Sequence, residues 1–308
     1  MPKIISGANS LHLARKISGL TKIPIISKVV RKFPDGETYV RLESSDFDGD
    51  KVFIIHTLYP EQDENLIELF LTLDVVKEKG GSPYLIIPYM AYGRQDRIFQ
   101  NGEAFSLKTI AKILRFLGAQ GLITVDAHFL RKAGIYSIFG LPARNVSSVT
   151  LQFEHARKVI GGEFTVAGPD SGSKYFLSSI EGAVFLGKEK HCPACKMPAT
   201  GCRCKRKEKA YANKIEVPEK LKNRNVLLLD DMITTGSTII EAAKALKAKR
   251  NRVFVGCTHG LFVGDSLQKL REYADYVFCT DTVKSEASKI SVAGLLSEQM
   301  IKEAGLIR

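Results

Sequence analysis

The sequence predicts an α/β protein of two domains, each a mainly parallel sheet flanked by helices, and three observations carry that prediction. The chain has 308 residues, which suits two domains of about 150 residues each. Short β-branched runs alternate with longer segments of helical periodicity. Those runs are apolar throughout instead of alternating with polar residues, as in strands covered on both faces. The strands are expected at Val52–His56, Tyr84–Pro88, Leu122–Asp126, Phe164–Pro169, Val226–Asp230 and Arg252–Cys257. The helices are expected at Asn9–Leu20, Gln62–Glu78, Phe105–Phe116, Val149–Ile160, Ser237–Lys247 and Ser266–Tyr273. Gln62–Glu78 carries Leu66, Leu69, Phe70 and Val76 at roughly helical spacing. Residues 290–308 also have a helical pattern, with no docking site that the sequence assigns. No internal repeat or low-complexity tract interrupts the alternation. A boundary near Leu141–Asn145 divides the chain into domains 1–143 and 144–308.

Composition narrows the function. Hydrophobic residues make up 44% and charged residues 25%, the profile of an ordinary globular protein. No apolar run approaches the roughly 18 residues that cross a bilayer, and the first residues hold no secretory h-region. A cytoplasmic protein without a membrane partner is expected. The net charge of +12 calls for an anionic partner. From Lys188 to Lys209, eight Lys or Arg against two Glu give +6, half of the total. The other basic residues are scattered without the basic–aromatic alternation of a nucleic-acid groove, so small phosphorylated ligands are preferred over nucleic acid.

One segment carries the most specific chemistry. Val226-Leu-Leu-Leu-Asp230-Asp231-Met-Ile-Thr234-Thr235-Gly236-Ser237-Thr238 reads as a buried strand ending in two carboxylates, then a small hydroxyl-rich loop opening a helix. Ligands of open α/β sheets gather at the carboxyl ends of strands. A helix N-terminus offers N–H groups to a phosphate, and an acidic pair suits two ribose hydroxyls or a metal held on them. A turn with a helix cap would use the same Thr and Ser residues, but not the whole ordered series.

This loop resembles the phosphoribosyl pyrophosphate (PRPP) loop shared by phosphoribosyltransferases and PRPP synthetases, and the N-terminal half separates the two. Phe33-Pro34-Asp35-Gly36-Glu37-Thr38 resembles the nucleotide loop of PRPP synthetases, and Ile87 to Arg97 (Ile-Pro-Tyr-Met-Ala-Tyr-Gly-Arg-Gln-Asp-Arg) their strand and ATP loop. Val125-Asp126-Ala127-His128 is similar to their metal-binding histidine motif, and Gly168-Pro169-Asp170-Ser171-Gly172 to the segment opening their second domain. His259-Gly260 and Thr280-Asp281-Thr282 also fall where that family has a His-containing loop and a Thr-rich strand end. Taken singly, Asp35-Gly36 is a common turn, Arg94–Arg97 a solvated loop and His128 a strand-end histidine. Their collinear order favours the family.

The resemblance implies two phosphoribosyltransferase-like domains in a homo-oligomer, dimer or hexamer, that makes PRPP and AMP from ATP and ribose 5-phosphate with Mg²⁺. It implies that Phe33, Asp35 and Glu37 face ATP across a subunit interface, and that Arg94, Gln95, Asp96 and Arg97 hold adenine and polyphosphate. Planar guanidinium forks match phosphate oxygens. His128 and Asp170 would lie near Mg²⁺, and Asp230, Asp231, Thr234, Thr235, Gly236, Ser237 and Thr238 would bind ribose 5-phosphate. Ser171 and Ser173 stand where the family is richer in glycine.

The chain departs from the family after Ala183–Leu186, where a catalytic loop carries a Lys and, two residues on, an Arg. Here Lys188 is followed by Lys190, and the two cations are not equivalent at a bidentate phosphate contact. Then come Cys192, Cys195, Cys202 and Cys204, in Cys-x₂-Cys and Cys-x-Cys pairs. In a cytosolic chain such a cluster reads as metal ligation, here one tetrahedral structural Zn²⁺, within an insertion at about 188–209. The segment lacks an apolar core, so the metal would order it. Arg203 or Arg206 is then placed to replace the missing arginine, with Lys188, Lys190 and Arg203 as the catalytic cations. Two competing functions are a non-catalytic regulatory subunit with a disabled loop and a PRPP-consuming phosphoribosyltransferase. Retention of Lys188, His128, Asp96 and Asp170 argues against the first; Phe33–Glu37 and Arg94–Arg97 have no purpose in the second. Cys257 and Cys279 stand alone in apolar surroundings and are expected to be buried.

Overall fold

The apolar runs become the central strands of two parallel sheets. The structure, a computed structural model, describes residues 1–43, 46–191 and 212–306, with the backbone alone at 188–191 and 212–214. The chain divides into one unit of Met1–Ser148 with Thr280–Arg308 and another of Val149–Cys279.

In the first unit β1 (Lys3–Ser6), β4 (Lys51–Ile55), β5 (Ser82–Ile86), β6 (Leu122–Val125), β8 (Leu141–Val146) and β7 (Gly134–Ile138) lie side by side in that order. Every pairing is parallel except β7 on β8. Helices α1 (Leu11–Thr21), α2 (Gln62–Glu78) and α3 (Ser106–Phe116) follow β1, β4 and β5. Val52, Phe53, Ile54 and Ile55 are fully buried, which is why β4 reads as an unbroken apolar run. Apart from this sheet, β2 (Lys28–Lys32) and β3 (Thr38–Leu42) form a two-stranded antiparallel hairpin.

In the second unit α4 (Val149–Ile160) leads into β9 (Thr165–Gly168) and β10 (Val184–Phe185). There follow a ribbon of β11 (Gly187–His191) and β12 (Ala212–Glu216), then β13 (Asn225–Ile233), α5 (Ser237–Ala248), β14 (Arg252–Gly260), α6 (Ser266–Arg271) and β15 (Tyr276–Thr280). In the six-stranded sheet β10-β9-β13-β14-β15-β16, where β16 is Ser288–Ile290, the pairings among the first five strands are all parallel. Cys257 and Cys279 are both buried and face each other across β14 and β15.

Two features differ from the sequence-based expectation. Strand β13 does not stop at Asp230; it pairs with β14 as far as Ile233 opposite Gly260, so both carboxylates project from within the strand. The first unit also takes in the C-terminal residues, Thr280–Arg308, in addition to Met1–Ser148. After Ser148 the second unit is continuous to Cys279, and the remainder returns to the first. Helix α7 (Ala293–Ala304), which follows β16 (Ser288–Ile290), explains the return. Its Ala293, Leu296 and Met300, with Val292, are buried among Ile4, Leu13, Ile17 and Phe53. Polar contacts add to this core. Asp281 accepts Lys16 Nζ at 2.7 Å and the Val292 N–H at 2.8 Å, and Glu303 receives Arg144 on its carboxylate and Lys51 on its carbonyl. Burial, reinforced by the neighbouring Glu303 carboxylate, pushes the Tyr84 phenol up to about 12.

Candidate active site

In the second unit the strand–acid–acid–loop–helix series closes into one small region. Asp230 Oδ1 accepts the Asp231 N–H at 3.1 Å, and Asp231 Oδ1 accepts the Met232 N–H at 2.8 Å, so each carboxylate is oriented by the next residue's backbone. Thr234 stays in place because its carbonyl accepts the Val263 N–H at 3.0 Å and the Ser266 hydroxyl at 3.2 Å. Gly236, at φ +73°, is the residue before α5. That left-handed conformation favours glycine and turns the chain sharply enough that Ser237 starts the helix at once. Thr235 and Ser237 are exposed and Thr238 half-buried, at the start of α5, the end of a helix whose N–H groups suit an anion.

Electrostatics single out Asp230. Burial pushes its carboxyl pKa well above the usual carboxylate range, and the charges of Asp231 and Asp170 push the same way. Asp170 therefore belongs to this region. It precedes a short 3₁₀ turn at Ser171–Lys174 and accepts the Gly172 N–H at 2.8 Å. Buried Ser173 donates to the Asp170 carbonyl at 2.8 Å. The Ser173 hydroxyl thus ties this turn back to the carbonyl at its start. The charges of Asp231 and Asp170 both bear on the Asp230 carboxyl, an arrangement suited to hydroxyl donors.

The first unit carries the other predicted residues in two regions. The turn Phe33–Glu37 tips the β2–β3 hairpin, closed by the Phe33 N–H to the Glu37 carbonyl at 2.8 Å and by the Glu37 N–H to Asp35 Oδ1 at 3.2 Å. Phe33 is 40% exposed, edge-on to Tyr39, while the Arg31 guanidinium lies 4.5 Å from the Tyr39 ring centre and 5.2 Å from that of Phe33. The sequence did not point to Arg31 or Tyr39; they face each other across the hairpin, a pairing visible only once the register is known.

The second region joins Arg94–Arg97 to the His128 turn. Gly93 packs so closely on Phe129 that an added Cβ would lie 2.7 Å from the ring, which brings the loop alongside His128–Leu130. Arg94, Arg97 and His128 are exposed. Arg97 is engaged with Asp96 at 3.1 Å, and Gln95 donates to Glu103 at 3.1 Å. Glu103, unmarked by any sequence signal, also accepts the N–H groups of Phe99 and Gln100, and those bonds hold its carboxyl below the usual range. It is the anchor of this loop. Asp126, at φ +40°, accepts the Ser148 N–H and hydroxyl and so fixes the strand end before His128.

The backbone of Lys188 and Lys190 lies in β11, opposite Ile215 and Asn213. Their side chains lie outside the described residues, as do Arg203, Arg206, Cys192, Cys195, Cys202 and Cys204. Among the described residues no three His, Cys, Asp or Glu side chains converge as metal ligands, and no helix is long and apolar enough to cross a membrane.

Known proteins resemble the chain along its whole length. Residues 2–118 match the family model of the N-terminal domain of ribose phosphate pyrophosphokinase, and residues 154–293 match that of the phosphoribosyl transferase domain. The ribose-phosphate pyrophosphokinase of Methanopyrus kandleri is 31% identical over 98% of this chain and 99% of its own. That of Pyrococcus furiosus is 33% identical over 94% and 97%. The fold is that of phosphoribosylpyrophosphate synthetase from Mycobacterium smegmatis, with a TM-score of 0.82 at 22% identity and 99% coverage of both chains.

Proposed function

Because the chain belongs to the ribose-phosphate pyrophosphokinase family, we propose that it transfers the β,γ-diphosphoryl group of ATP to the anomeric hydroxyl of ribose 5-phosphate. The observation that carries this is the run from Asp230 and Asp231 through Thr234–Gly236 into α5, with Asp170 beside it. The sugar phosphate sits with its phosphate on the N–H groups and hydroxyls of Thr234–Thr238 and its ring hydroxyls on Asp230 and Asp231. The anomeric oxygen attacks the β-phosphorus, the bond to the oxygen retained by AMP breaks, and the hydroxyl proton leaves to solvent or a nearby base. For such a transfer the protein mainly positions the reactants and neutralises charge. Mg²⁺ would neutralise charge on the polyphosphate; the candidate protein donors are Asp170 in the second unit and His128 in the first. Phe33, Asp35, Glu37 and Arg94–Arg97 take the nucleotide, and the protein acts in the cytoplasm as a homo-oligomer, dimer or hexamer.

The four cysteines would hold one structural Zn²⁺, which would order the segment and so bring Arg203 together with Lys188 and Lys190 to the transferred group. The spacing of the thiols supports this, as does a charge of about −2 for a tetrathiolate zinc centre amid lysines and arginines. Elemental analysis of the purified protein is expected to find close to one zinc per chain, lost on Cys192→Ser or Cys204→Ser. A metal-free protein with full activity would remove the zinc from the account.

The deciding experiment is a ³¹P NMR time course with ATP, Mg²⁺ and ribose 5-phosphate, before and after zinc removal. AMP and PRPP are expected to appear together and to stop once zinc is gone. ATP binding without turnover in the zinc-loaded protein would instead identify a regulatory subunit.

A further inference from the structure

We propose that Lys28 and Glu68 form a buried latch that sets the position of the Phe33–Glu37 turn, and thereby the affinity for ATP, without touching the nucleotide. The inference rests on that turn being a nucleotide-binding face. Among the described residues the β2–β3 hairpin shares no ladder with another named strand. Only the chain just before it is tied to β1, by the Ile26 N–H to the Ile4 carbonyl at 2.7 Å, and beyond that anchor its direction is set by side-chain contacts with α2, against which β3 packs.

The polar part of that contact is ordered. At the hairpin base, Lys28 Nζ lies 2.6 Å from Glu68 Oε1, with the two side chains 4% and 8% exposed. Lys28 also reaches the Thr72 hydroxyl at 3.5 Å, which itself donates to the Glu68 carbonyl. One helical turn earlier and four strand residues further on, Lys32 pairs with Glu64 at 3.1 Å, in solvent. Positions 28 and 32 share a face of the strand and positions 64, 68 and 72 a stripe of the helix. The two pairs therefore fix both the height and the rotation of the hairpin on α2.

Stability alone does not explain the buried pair. Desolvation lowers the pKa of Lys28 against the pull of Glu68, and buried pairs often add no more than an apolar pair of equal volume. What an ion pair enforces is register, since any slip leaves a buried charge without its partner. Geometry makes this matter at the tip. Five strand residues separate Lys28 from Phe33, about 16 Å at roughly 3.3 Å per residue. A swing of about 10° at the base moves the Phe33 ring by about 3 Å, enough to abolish a ring stack with centroids 4.5–7 Å apart.

The test compares Glu68→Gln, Lys28→Met and the double variant Lys28→Met/Glu68→Leu. In each, KM for ATP and the Kd for ATP without acceptor should rise about tenfold, while kcat and KM for ribose 5-phosphate stay within about twofold, the pattern of lost nucleotide positioning. The double variant should melt within a few degrees of the parent, and amide exchange in Val29–Arg41 should quicken in it selectively. A double variant with unchanged ATP affinity overturns the latch, as does a lowered melting temperature with no change in affinity. Phe33→Ala separates the two levels of the argument. If it weakens ATP binding and the double variant does not, the latch alone fails; if it leaves ATP binding unchanged, the turn is no nucleotide face and both fail.

Discussion

Asp230→Asn is expected to lower kcat/KM for ribose 5-phosphate by about a hundredfold or more, roughly 2.7 kcal/mol of transition-state stabilisation, and at the same time to raise the melting temperature of the ligand-free protein. Both effects come from the same surroundings. Asp230 is desolvated and repelled by Asp231 and Asp170, so its carboxyl pKa lies well above the ordinary value of 3.8. An acid whose pKa is raised in the folded state ionises first in the unfolded chain. Its contribution to stability is therefore greatest below about pH 4 and falls as pH rises towards the raised folded value. Asparagine can accept the same Asp231 N–H without a charge, so the loss should be absent in the variant. Melting curves from pH 4 to 8 should show the parent falling away from the variant with rising pH, and saturating sugar phosphate with Mg²⁺ should narrow the gap for the parent only. Equal melting temperatures across that range would mean that Asp230 is not held against its ionisation. Undiminished kcat/KM would remove it from the sugar site. The region is thus destabilised where it binds.

Legibility in the sequence follows how local each cause is. The Thr234–Thr238 loop was readable because strand, turn and helix lie within one short segment and Gly236 marks the turn. The end of β13 was not, because Met232 and Ile233 remain in the strand through pairing with His259 and Gly260, residues contributed by the next β–α unit. Asp35-Gly36 was readable as a turn. The strands beside it were not, since β2 is half-buried to exposed along its length and lacks the apolar run that identifies the buried strands. Glu103 gave no signal because its role is to gather backbone N–H groups of its own loop, which any acid there can do. The Arg94–Arg97 and Phe33–Glu37 segments were recognisable as motifs, but Arg31, Tyr39, Lys28 and Glu68, which hold the hairpin, depend on register and on helix–hairpin packing. The pattern of α7 was equally visible from the sequence, and its destination was not: helical periodicity shows that a face is apolar, and only the opposing face determines where it docks.

The destination of α7 carries the second large effect. A fragment of residues 1–148, the first unit without its C-terminal return, is expected not to fold, and a peptide of residues 280–308 added in trans should restore a cooperative transition. Leu296 and Met300 are both fully buried, and truncating such a residue to alanine costs about 2–5 kcal/mol. Domains are commonly stable by only about 5–15 kcal/mol, so losing the whole apolar face of α7 exceeds what the unit can sustain even if the separate terms are not additive. The fragment also strands polar partners: Lys16 loses Asp281, and Lys51 and Arg144 lose Glu303. Circular dichroism and a thermal melt decide the matter, and a cooperative melt of the isolated fragment would contradict the docking seen here. In the full chain, Leu296→Ala should lower stability by the single-site amount and quicken amide exchange in α1, against which α7 packs, more than in β13 or β14. The order of events during synthesis follows from the same contact. Residues 149–279 are contiguous and can form their sheet as soon as they are made, whereas the first unit, whose opening strand is made first, stays incomplete until α7 has been made.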